Sequence, residues 1–267
     1  MYKAIAQIVR EAGSLMRNAR DIESSVREKT SHIDLVTKYD TMVQEQLKEK
    51  LLAAYPDAGF FGEEEAEHNI RDKRAVFIVD PIDGTTNFVR SLHHSCISVG
   101  LLVDGQMEYA AVYNPYYDEL FTAQRGQGAF LNGESLHVTN ASLAESLVLF
   151  GSAIYYRETI PATVRFMEEL FPATSDFRRG GSAALDLCYL AAGRVDLFFE
   201  CCLQPWDYAA GSLIVQEAGG IASALTGDPL RFFEKCSVAA GNPNNYPALM
   251  DISAKISAEP DMKGRIR

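Results

Sequence analysis

A mixed, layered α/β fold is what this sequence predicts, and three observations predict it. The apolar run Ala75-Val76-Phe77-Ile78-Val79 reads as a strand buried on both faces. Between 95 and 138, Ile97, Val99, Leu101 and Val103 alternate with small or polar neighbours, and turn dipeptides follow at short intervals, as in an antiparallel meander. Beyond 183, apolar patterns of helical period alternate with short strand-like runs that stop at glycines.

Taken in order, residues 1–17 carry Ile5, Ile8, Val9, Ala12 and Met16 at helical spacing with Lys3, Arg10, Glu11 and Arg17 between them, an amphipathic helix without the apolar centre of a signal peptide. A second helix is expected over about 37–54, where Val43, Leu47, Leu51 and Ala54 share a face and Thr37 with Asp40 suits a capping box. The chain turns at Tyr55-Pro56-Asp57 and crosses Glu63-Glu64-Glu65 before the strand at 75–79, which Pro81, lacking an N–H, should end. Turns follow at Asp104-Gly105, Asn114-Pro115, Arg125-Gly126 and Asn132-Gly133. Helices are then expected at 183–192 and 207–218, and strands at 195–200, 221–224 and 237–240, with Gly193, Gly219-Gly220 and Gly241 at their ends.

The 267 residues, 47% of them hydrophobic, suffice for a large core. No Pro- or Ser-rich linker, low-complexity tract or repeat divides them, so 1–267 reads as one unit, with an N-terminal α+β part to about 140 and a C-terminal α/β part from about 141. A net charge of −11 argues against nucleic acid as the main partner and suits a cation site. The chain has no run of about eighteen apolar residues, so no membrane span is expected. Five cysteines without a CxxC pair indicate neither a disulfide framework nor a zinc knuckle, and a reducing cytoplasm is the simplest compartment.

Chemistry concentrates just after the first strand, in Asp80-Pro81-Ile82-Asp83-Gly84-Thr85. Open α/β sheets place their sites beyond strand ends, where two carboxylates can hold a hard cation and the Gly84 and Thr85 amides can meet an anion. The plain alternative is a solvated turn in which an aspartate caps a helix. Glu63, Asp207 and Asp40 add further carboxylates at element ends. Asp207 alone reads equally as an N-cap, Asp40 as the partner of Thr37, and Glu200 as a strand-end charge.

Gly62-Glu63-Glu64, Asp80-Pro81-Ile82-Asp83-Gly84-Thr85-Thr86-Asn87-Phe88 and Trp206-Asp207-Tyr208-Ala209-Ala210-Gly211 together resemble the inositol monophosphatase family of metal-dependent phosphatases. Asp34-Leu35-Val36-Thr37, Gly126-Gln127-Gly128-Ala129, Gly181-Ser182-Ala183-Ala184-Leu185-Asp186 and Glu217-Ala218-Gly219-Gly220 extend the likeness in the family's order. The resemblance implies an αβαβα five-layer sandwich of the sugar phosphatase and inositol monophosphatase type, a homodimer, lithium sensitivity and two or three Mg²⁺ ions. One ion would be held by Glu63, Asp80 and the Ile82 carbonyl, a second by Asp80, Asp83 and Asp207. Glu63 and Thr85 would orient the attacking water with Asp40 behind the threonine, while Gly84 and Thr85 meet the phosphate. Gly181, Ser182, Ala183 and Glu200 match positions that contact the alcohol.

By that likeness the substrate is myo-inositol 1-phosphate. Rivals with the same chemistry are fructose 1,6-bisphosphate, histidinol phosphate, a nucleotide 3′-phosphate or NADP. A rival of another class is a regulatory protein that associates with RNA polymerase, as some bacterial relatives do. Cys202 departs from the glycine of many relatives and Phe77 from their tryptophan. His93-His94 lacks the helical spacing of a zinc pair, Arg178-Arg179 reads as solvated, and Cys201-Cys202 as small buried residues.

Overall fold

Helix α1 (Tyr2–Arg17) forms on the expected stripe, with Ile5, Ile8, Val9, Ala12 and Met16 all buried. In this computed structural model residues 2–28, 35–65, 70, 72–262 and 264–266 are described, so Asp34 of the Asp34-Leu35-Val36-Thr37 motif lies outside the described residues. A short pair, β1 (Arg27–Glu28) and β2 (Leu35–Val36), leads into α2 (Lys38–Ala54). Thr37 caps α2 as expected: its Oγ1 accepts from the Tyr39 amide at 3.1 Å, and Asp40 Oδ2 accepts from the Thr37 amide at 2.7 Å.

Seven strands make the first sheet: β3 (Gly59–Gly62), β4 (Ala75–Asp83), β5 (Cys96–Val103), β6 (Gln106–Asn114), β7 (Glu119–Gln124), β8 (Gly128–Leu131) and β9 (Glu134–Ser135), lying side by side in that order. β3 runs parallel to β4, and the rest is the antiparallel meander. Asp104-Gly105 (φ 50° and 77°) and Asn132-Gly133 (φ 50° and 92°) supply the two left-handed positions of type I′ hairpin turns.

β4 does not stop at Pro81. Asp80 pairs with Ser98 and Asp83 with Cys96, and the register shifts between them. Pro81 sits in this irregularity, where no ladder N–H is required, so the strand carries both aspartates instead of ending before them. The short α3 (Thr85–Val89) follows, entered through Gly84 at φ 85°.

The second sheet has the order β11-β10-β12-β14-β13, built from β10 (Leu147–Phe150), β11 (Asp176–Arg178), β12 (Leu197–Leu203), β13 (Ile221–Ser223) and β14 (Cys236–Gly241). β10 is parallel to β11 and β12, and β14 is antiparallel to both of its neighbours. Helices α4 (Ile160–Leu170), α5 (Ala183–Ala191), α6 (Pro205–Glu217) and α7 (Tyr246–Ser257) complete the fold. β12 extends past the expected end at Glu200 because Cys201, Cys202 and Leu203 are buried too. α6 begins at Pro205, not Asp207: proline suits a first helical position, and Gln204 is the cap.

Strand alternation sorts the apolar side chains into layers. Phe77, Val79, Ile97 and Val99 face α1 and α2, while Val76, Ile78, Ala110 and Val112 face α5 and α6. From the second sheet, Phe198, Val238 and Ala240 meet the same α5/α6 layer, while Phe199, Cys201 and Ala239 face α4 and α7. The result is the αβαβα five-layer sandwich. Glu217, at the end of α6, accepts from the Gly126 and Gly128 amides at 2.8 and 2.9 Å and ties the central layer to the first sheet. Two of the motifs noted in the sequence thus touch.

Candidate active site

A cleft of about 790 Å³ opens where β3, β4, β10 and β12 end and where α3, α5 and α6 begin. Its lining includes Glu63, Asp80, Ile82, Asp83, Gly84, Thr85, Gly181, Ser182, Ala183, Glu200 and Asp207. Every site residue expected from the sequence lies on its wall except Asp40, which is fully buried behind Thr85.

Asp80, 2% exposed, is shaped by its own turn: Oδ1 accepts from the Ile82 amide at 3.0 Å. Asp83 Oδ2 accepts from Ser182 Oγ and from the Ala184 amide, both at 2.7 Å, which fixes the start of α5 against β4. Asp207 is the third residue of α6, and its Oδ2 accepts from the Gln204 amide at 2.9 Å. It belongs to a capping box and is not the plain N-cap that its sequence context also allowed. Glu63 follows β3, whose ladder its amide extends to the Val79 carbonyl at 3.1 Å.

Thr85 Oγ1 lies 3.1 Å from the Ile82 carbonyl and 3.3 Å from Asp40 Oδ1. Asp40 Oδ2 takes the Thr37 amide and hydroxyl, each at 2.7 Å. Asp40 thus closes the capping box with one oxygen and meets the Thr85 hydroxyl with the other. Gly84 has no room for a side chain, because a Cβ would stand 3.0 Å from the His94 carbonyl and 3.1 Å from the Gly181 carbonyl.

Burial drives the electrostatics of this wall. It pushes the Asp83 carboxyl up to about 7 despite the bonds from Ser182 and Ala184, with Asp186 and Glu63 adding repulsion. It raises Asp207 well above the usual range, and the charges of Asp83 and Glu63 raise it further. Asp40 rises to about 6 and Glu200 to about 8, again chiefly by burial. Like charges that must desolvate together call for a counter-ion.

The donors fit a hard cation: carboxylates and a backbone carbonyl, with no thiolate or imidazole among those expected to ligate. As the side chains lie, no group of three or more His, Cys, Asp and Glu among the described residues is close enough to hold an ion. A cation would have to draw them in.

Sequence reading missed the loop at 151–156, Arg90, Arg179 and Gln204, all of which line the cleft. Only Arg178 of the arginine pair is turned away, bonded to Asp176 at 2.5 Å. Asp186, quoted only as the end of a motif, is 1% exposed and lies 3.3 Å from His94 Nε2. His93 instead stacks on Tyr116, so the two histidines do point apart. All five cysteines are free and buried. No described helix is long and apolar enough to cross a membrane.

A model of the inositol monophosphatase family matches residues 1–258. The Nus factor SuhB of Escherichia coli (strain K12) is 38% identical over 253 residues, 94% of each chain. Among solved structures, the extragenic suppressor protein suhB from Bartonella henselae superposes with a TM-score of 0.89 at 34% identity, over 95% of this chain and 98% of that one. Inositol monophosphatase from Anabaena (Nostoc) sp. PCC 7120 gives 0.83 at 28% identity, over 95% and 94%.

Proposed function

The chain belongs to the inositol monophosphatase family, and on that premise we propose that it is a Mg²⁺-dependent phosphomonoesterase that converts myo-inositol 1-phosphate to inositol and phosphate. The observation that carries this reading is the convergence of Glu63, Asp80, Asp83 and Asp207 on one cleft from three separate parts of the fold, the end of β3, β4 and α6.

In this reading Glu63, Asp80 and the Ile82 carbonyl would hold one Mg²⁺, and Asp80, Asp83 and Asp207 would hold a second. Bound cations supply charge neutralisation of the phosphate and Lewis acidity. Glu63 and the Thr85 hydroxyl orient the attacking water, and Asp40, 3.3 Å from Thr85 Oγ1, sets the direction of that hydroxyl. The Gly84 and Thr85 amides face the phosphate oxygens. Gly181, Ser182, Ala183 and Glu200 lie where the alcohol would leave. The whole chain would act as one catalytic unit, inhibited by lithium, in a homodimer in the reducing cytoplasm.

A panel of esters assayed with Mg²⁺ tests the substrate: inositol 1-phosphate, fructose 1,6-bisphosphate, histidinol phosphate, a nucleoside 3′-monophosphate and NADP. Inositol 1-phosphate should give the highest kcat/KM. Much faster turnover of another ester would transfer the assignment to that ester, and no turnover of any would remove the enzymatic reading.

A second reading rests on relatives that carry the name Nus factor SuhB. A regulatory role beside catalysis would take RNA polymerase as partner. Retention of the protein by immobilised polymerase would support that role, and its absence would dismiss it.

A further inference from the structure

Loop 151–156 follows β10 and lines the cleft. Its backbone rests on Glu200. The Ala153 amide donates to Glu200 Oε1 at 2.8 Å, and a Cβ on Gly151 would come within 1.7 Å of Glu200 Oε2, so the carboxylate packs directly against glycine backbone. Ala153 is held at φ 43°, a left-handed conformation that alanine rarely adopts, and Tyr156 donates its amide to the Ala153 carbonyl at 2.7 Å to close the turn. At the far end the Tyr156 hydroxyl accepts from Gln204 Nε2 at 2.8 Å, and the Lys235 ammonium lies 4.4 Å from the Tyr156 ring centre. A turn anchored at both ends presents Ile154 and Tyr155, 42% and 55% exposed, to the cavity.

We propose that loop 151–156 selects the leaving group: Ile154 and Tyr155 form the wall on which the C–H face of a ring-shaped alcohol rests, and Glu200 is a positioning residue that holds the wall in place. The inference rests on the phosphomonoesterase reading. Glu63, Asp80, Asp83 and Asp207 would engage the phosphate through cations, whereas loop 151–156 is bonded to Glu200, which lies on the alcohol's side in that reading. A cyclitol or sugar ring has a flat C–H face that an aromatic side chain can cover, whereas an acyclic alcohol such as glycerol has none. Glu200 accordingly acts through backbone that it orders, beyond any bond that it makes to a hydroxyl.

The test compares kcat/KM for inositol 1-phosphate and glycerol 2-phosphate, both with Mg²⁺, in the full-length protein and in Tyr155→Ala, Glu200→Gln and Glu200→Ala. Amide hydrogen exchange at Ala153 is followed in parallel. Tyr155→Ala should lower the preference for the ring ester roughly tenfold, mainly through KM, as expected for one lost apolar contact. Glu200→Gln keeps an oxygen for the Ala153 amide and should retain its protection. Glu200→Ala should lose that protection and lower the preference as Tyr155→Ala does. An unchanged preference in Tyr155→Ala, or Ala153 protection that survives Glu200→Ala, overturns the proposal while leaving phosphatase activity standing. Failure of the unmodified protein to hydrolyse either ester overturns the inositol 1-phosphate assignment and, with it, the proposal.

Discussion

Asparagine in place of Asp80 keeps the Oδ1 atom that accepts from the Ile82 amide at 3.0 Å, and removes the charge. Asp80→Asn should therefore stay folded, with a Tm close to that of the parent, while Mg²⁺-dependent turnover falls by more than the roughly 100-fold that even an indirect neighbour of a metal can cost. Melting curves and phosphate release measure the two halves separately. Retained turnover would contradict the proposed role of Asp80 as a metal ligand. The motif around Asp80 was legible because its two carboxylates lie three residues apart in the chain. The bond between Thr85 and Asp40 was not legible from residue types, since the capping box alone accounted for Asp40 and 45 residues separate the partners. Only the family likeness pointed to it.

Helix α2 carries Asp40, so its cap bears on both stability and the cleft. Thr37→Ala deletes the hydroxyl that meets Asp40 and the Tyr39 amide, and should cost about 1 kcal/mol, seen as a lower midpoint in urea. In the outer layer Phe166 is fully buried between α4 and the second sheet, and Phe166→Ala should cost about 3–5 kcal/mol in the same assay. Elements with a local signal were readable: α1 from its stripe, the meander from its turns. Segment 140–180 was not. β11 is three residues long with Asp176 and Arg178 exposed, and it is a strand only because β10 lies beside it. Pro81 misled for a related reason, since a ladder irregularity depends on the neighbouring strand.

The cleft belongs to the molecule as a whole, because Asp83 of β4 and Asp207 of α6 line it together with Glu200 of β12 only once both sheets pack on the central helices. Sequence spacing carries no information about that closure. Its consequence is a pH dependence with a defined sign. Burial pushes the Asp40, Asp83 and Glu200 carboxyls up to about 6, about 7 and about 8 in the folded chain, from ordinary values of 3.8, 3.8 and 4.5. Above those lower values the folded state binds more protons than the unfolded one, so stability without a cation should fall as pH rises from about 4 to about 8. Mg²⁺, if held as proposed by the deprotonated carboxylates of the folded state, should flatten the fall, which thermal melts across that range with and without the ion would show. A melting temperature that rises over this range in the absence of metal would contradict the sign.

The most direct measurement is phosphate release from inositol 1-phosphate while Mg²⁺ is titrated from zero. Release should be absent without the ion, rise to saturation with it, and stay flat in Asp80→Asn. Release that proceeds undiminished in the presence of a chelator, or none at any Mg²⁺ concentration from a folded protein, would contradict a cation-loaded carboxylate cleft acting on a phosphate monoester.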